Sequence, residues 1–103
     1  MKAPASTDEL RRLIDVIEVH LCMVPDWKYE DRDSWERHDA GLGKMVDHLI
    51  EKERARFGKL RMDDRFMTLA GIRTSCTSSL HGLFSNWINA ARREIAVRKD
   101  GAA

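Results

Sequence analysis

The chain has 103 residues, 43% of them hydrophobic and 34% charged, with a net charge of +1. That length has room for one domain with one core, and the apolar share is high enough that the chain is expected to fold as a single domain. Two prolines and six glycines are too few for the many tight reversals of a small sandwich or barrel, so composition favours helices. The charge is unevenly placed: residues 1–51 carry 7 basic and 12 acidic side chains, residues 52–103 carry 11 and 5. Either acidic and basic faces meet within the domain, or the second half offers a basic surface to an acidic partner.

Ser6-Thr7-Asp8-Glu9 matches a capping box and starts a helix. Leu10, Leu13, Ile14, Ile17, Leu21 and Val24 then recur at spacings of three and four, the apolar stripe of an amphipathic helix. Pro25 ends it near residues 22–24. Asp15, Glu18 and His20 interrupt the apolar run, so it cannot serve as a membrane span or signal-peptide core, and a cytoplasmic location is expected. Cys22 and Cys76, far apart and alone, read as reduced thiols.

Residues 25–33 have no periodicity and are expected to form a loop. Its Trp27 and Tyr29 either fold back over the core or meet a partner. Asp33 or Ser34 can cap a second helix running to about Phe57, with Trp35, His38, Leu42, Met45, Val46, Leu49 and Ile50 on its apolar side and Gly58 as its stop. Gly41 and Gly43 leave room for a kink, a break or a close crossing.

Asp63 or Asp64 can cap a third helix through Phe66, Met67, Leu69, Ala70 and Ile72. The segment 74–79 reads either as a turn or as part of a longer helix with a strip of small residues, Gly71, Ser75, Ser78 and Gly82. A last helix is expected over residues 79–98, burying Leu80, Leu83, Phe84, Trp87, Ile88, Ala91 and Ile95. The expected fold is therefore all-α, a compact single-domain bundle of three to four helices, with residues 1–5 and 100–103 frayed.

Catalytic and metal chemistry find little support. No Cys-x-x-Cys pair or His cluster at helical spacing makes a metal site, and His38 and His48 read as helix residues. Gly41-Leu42-Gly43-Lys44 lacks the spacing of a phosphate loop, and no cofactor is expected. Cys76 with His81 offers a minor enzymatic alternative, which needs the two side chains within hydrogen-bond reach in a cleft.

Residues 69–79 together with Asn86-Trp87-Ile88-Asn89-Ala90-Ala91-Arg92 resemble small uncharacterised proteins of bacterial viruses. The resemblance implies a virus- or prophage-encoded accessory protein that binds and modulates a host protein. On this footing the leading expectation is a non-enzymatic helical protein-interaction module. It contacts its partner through Trp27, Tyr29 and Trp35, side chains of the kind that anchor interfaces, and a homodimer is one form of such a partner. The alternative is a small nucleic-acid-binding regulator. It would use Lys52, Arg54, Arg56, Lys59 and Arg61 with a second cluster at Arg92 and Arg93 to follow phosphates.

Overall fold

The computed structural model describes residues 5–24, 28–59, 65–77 and 80–101; the side chains of residues 59 and 99–101 are outside that description. The elements are three helices, α1 (Thr7–Met23), α2 (Arg32–Glu53) and α3 (Leu80–Gly101), and an antiparallel sheet formed by β1 (Arg56–Lys59), β2 (Arg65–Leu69) and β3 (Ile72–Cys76) in the order β1-β2-β3; α3 packs on one face of the sheet, and α1 packs on α3 and α2. The fold is therefore α+β, and the all-α bundle expected from composition is corrected.

The first helix forms as its sequence dictates. The Ser6 hydroxyl accepts the Glu9 N–H at 3.2 Å, and Val24 turns extended (φ −70°, ψ 126°) ahead of Pro25. Leu10, Leu13, Ile14 and Ile17 are buried. The second helix starts earlier than expected because the Asp31 carboxylate accepts the N–H groups of Asp33 and Ser34. Ser34 is instead a buried tie whose hydroxyl donates to Asp31 O at 2.6 Å and accepts the Lys28 N–H at 2.8 Å. α2 runs unbroken through Gly41 and Gly43, and a Cβ at Gly43 would meet nothing within 4 Å, so no close crossing lies at Gly43.

It also ends earlier, at Glu53. Arg54 takes the left-handed conformation (φ 59°, ψ 33°) and the Ala55 N–H bonds back to Leu49 O at 3.0 Å. The helix stop is thus an arginine, and Gly58 lies inside a strand.

The expected third helix is a β-hairpin. Ala70 and Gly71 both have positive φ (54° and 80°), the condition of a two-residue type I′ turn, and Leu69 pairs with Ile72 across it. The physical reason is alternation. Met67 and Leu69 on β2 are buried, and Ile72, Thr74 and Cys76 on β3 are half-buried on the same side. The Ser/Thr-rich segment, expected as a turn or a small-residue helix strip, supplies β3 as far as Cys76.

β1 closes the sheet on the other side, with Phe57 opposite Met67 and Gly58 opposite Phe66. The last helix begins where expected. Leu83, Phe84, Trp87, Ile88 and Ala91 are buried, and the Trp87 indole N–H donates to Leu69 O at 3.1 Å, tying α3 to the hairpin. Phe57 meets Phe84 edge-on with ring centroids 6.2 Å apart. One core joins these faces, and each fully buried Leu or Phe contributes about 1.5–3 kcal/mol. α1 is linked to α2 by Arg12–Glu53 at 2.8 Å and to α3 by Glu18–Arg92 at 2.9 Å.

Candidate nucleic-acid interface

With α3 on one side, the sheet turns its other face to solvent. Register places Arg56, Thr68 and Arg73 in one row across the three strands, and Gly58, Phe66 and Ser75 in the next. Strands lie about 4.8 Å apart, so Arg56 and Arg73 flank the central strand with Cα atoms about 10 Å apart. Both arginines are exposed. Phe66 is half-buried because its ring leans over Gly58, where a Cβ would stand 2.5 Å from Cε1. The Arg73 guanidinium lies over the same ring, its carbon 4.4 Å from the centroid, a cation–π stack.

Among the described residues, the strands of this face carry charge of one sign. Residues 54–59 and 65–77 contain no Asp or Glu. Lys52 and Arg54, exposed where α2 leads into β1, alternate there with Glu51 and Glu53, so this junction adds no net charge. Among the described residues, Lys52, Arg54, Arg56 and Arg73 form no ion pair, whereas Arg12, Arg37, Arg92 and Arg98 each pair with a carboxylate. The contrast is clear at Arg12, held on α1 between Glu9 and Glu53. Hydrogen bonding to Arg12 keeps the Glu9 carboxyl below its usual range, and the same contacts raise the Arg12 pKa.

The two expected basic clusters fare differently. Arg56 lies on the sheet face with Lys52 and Arg54 beside it, the Lys59 side chain and Arg61 lie outside the described residues, and Arg92 is turned to Glu18. Arg93 instead lines a polar hollow of about 270 Å³ with Thr74, Ser75, Asn86 and Asn89, between β3 and α3. Asn86 donates to Ser75 O at 2.9 Å, and Thr74 Oγ1 is buried without a hydrogen-bond partner. Ser75, shared by the sheet face and the hollow, makes the two surfaces continuous. Arg73 and Phe66 were not identified from sequence, because the helical assignment hid the alternation that puts them on one face.

The aromatic loop is partly described, Trp27 lying outside it. Tyr29 is 83% exposed and Trp35 is 43% exposed, their rings edge-on with centroids 6.2 Å apart. The Trp35 indole N–H donates to Lys28 O at 2.8 Å, which fixes the loop against the start of α2. Cys76 sits half-buried on the inner sheet face and His81 is exposed on the first turn of α3. Among the described residues no three His, Cys, Asp or Glu side chains are grouped to hold a metal ion. His20 and His48, distant in sequence, stack across α1 and α2 with ring centroids 4.7 Å apart, and His20 Nδ1 lies 2.7 Å from Val16 O.

No family model, curated protein or solved structure matches this chain. Among the described residues no helix is long and apolar enough to cross a membrane.

Proposed function

We propose that the chain is a non-enzymatic binding module whose outer sheet face takes the phosphate backbone of a nucleic acid. One observation carries this reading: Arg56 and Arg73 flank the central strand on a face that has no Asp or Glu among the described residues of its three strands, with Lys52 and Arg54 at the approach to β1. A polyanion that reaches these side chains releases its condensed counterions, so affinity must fall as salt rises. The test is fluorescence anisotropy with a labelled oligonucleotide between about 50 and 300 mM KCl, where four phosphate contacts give a log–log slope of about −3. The double variant Arg56→Glu, Arg73→Glu should lose more than about tenfold in affinity and flatten that slope, while Lys44→Glu, an exposed change on α2, should matter little. No binding at low salt, or equal loss in the Lys44 variant, overturns the proposal.

The exposed Tyr29 ring beside half-exposed Trp35 favours a second reading, in which this corner contacts a protein. The partner is then a host protein, as the resemblance of residues 69–92 implies, or a second copy of the chain. Tyr29→Ala should abolish capture of a partner or return a dimer to monomer in light scattering; unchanged association rejects this corner as the contact. Either role fits the cytoplasm, supported by two free cysteines.

A further inference from the structure

We infer that the nucleic acid bound by this face is single-stranded, with one base stacking on the Arg73–Phe66 pair and a neighbouring base edge entering the hollow at the β3 edge. The inference rests on the backbone-binding reading above and adds what the strand must look like. Duplex DNA is read by an element that enters a groove, and duplex bases keep their flat faces inside the stack. The surface here is a three-stranded sheet with strands of four and five residues, and it carries the Arg73–Phe66 cation–π pair rather than a helix or ribbon that could enter a groove.

The pair is held in place by packing. Phe66 sits on the central strand, its ring seated in the space left by Gly58, and the Arg73 guanidinium carbon lies over it, 4.4 Å from the centroid. Ser75, opposite Phe66 on β3, is small and exposed and leaves the approach open. A guanidinium supported by an aromatic ring offers an unstacked base a planar, cationic partner, while Arg56 and Arg54, at the β1 edge, hold phosphates on one side of it. At the β3 edge the hollow is lined by Thr74, Ser75, Asn89 and Arg93, with the Asn86 amide already fixed to Ser75 O and Thr74 Oγ1 buried beneath the surface. Such groups satisfy the donors and acceptors of a base edge, which only a splayed-out base can bring there.

The test compares labelled ssRNA, ssDNA and duplex DNA of one sequence of about twelve nucleotides, and an abasic strand of the same length, at low salt. The single strands should bind about tenfold or more tighter than the duplex or the abasic strand. Arg73→Lys keeps the charge and removes the planar face. It should cost about tenfold on the single strands, leave the salt slope unchanged, and leave duplex and abasic binding unaffected. Asn89→Ala, an exposed helix position, should reduce discrimination among homopolymers, with the ssRNA and ssDNA arms separating the two sources of the same base chemistry. Duplex or abasic binding equal to single-strand binding, or an Arg73→Lys protein that binds single strands as before, overturns the inference while the backbone reading stands. Loss of all binding to every probe overturns that reading instead.

Discussion

Gly58 and Phe66 form a single packing unit across β1 and β2, and it fails in a definable way if either partner changes. A Cβ at position 58 would lie 2.5 Å from Phe66 Cε1 and 2.6 Å from Cζ, so the ring must move before alanine fits. Moving it separates the ring from the Arg73 guanidinium, because that contact depends on the ring's present tilt. Gly58→Ala should therefore cost about 1–3 kcal/mol in urea unfolding and weaken oligonucleotide binding. The same substitution in a Phe66→Leu background should cost far less, since the clash is with the outer ring atoms that leucine lacks. An equal cost in both backgrounds would place the strain in the backbone and reject the ring as its cause. At this scale the site was half legible. Arg56, Arg54 and Lys52 stand out in any reading of charge, but Arg73 is an isolated arginine and Phe66 an ordinary apolar residue until a period of two sets them on one face.

The hairpin shows why that period was hidden. Phe66, Met67, Leu69, Ala70 and Ile72 satisfy helical spacing about as well as alternation, and the turn that would break the tie is Ala70-Gly71 rather than Asn-Gly. Ala70 nevertheless holds φ 54°, a conformation that disfavours a Cβ and that asparagine tolerates through local hydrogen bonding. Ala70→Asn should stabilise the protein by about 0.5–1 kcal/mol, read as a raised urea midpoint with an unchanged slope. A lowered midpoint would mean that the surroundings of the turn, including the Ala5 N–H that donates to Ala70 O at 2.9 Å, reject the larger side chain. The first helix was legible for the opposite reason. Its Ser6 cap and its stripe are independent signals at the positions where the structure uses them, and the helix ends at Met23 with Val24 extended, where the proline rule expects it. α2 falls between these cases, since its stripe was readable but its stop is Arg54, a residue type with no preference for the left-handed region.

The molecule measures 52 × 29 × 24 Å with a radius of gyration of 14.7 Å, against about 13 Å for a compact domain of 100 residues. Long helices contribute to this shape, a 22-residue helix such as α2 spanning about 33 Å. The core takes only part of α2: Leu42, Met45 and Leu49 are buried, while in residues 32–41 Ser34 alone is. Helical stability in proteins comes mainly from tertiary burial, so the two ends of this one helix should differ although their backbone bonds are alike. Native-state hydrogen exchange should find amides of residues 36–41 opening on the order of a hundredfold more readily than those of residues 45–50, whose protection should approach that of Trp87 and its neighbours in α3. The Tyr29–Trp35 pair is packed against this lightly held end. A partner that covers the pair should therefore slow exchange in residues 36–41 selectively, whereas an oligonucleotide on the sheet should leave it unchanged. Uniform protection along α2 in the free protein would show that the start of the helix is held as firmly as its core end, and would remove the basis for that distinction.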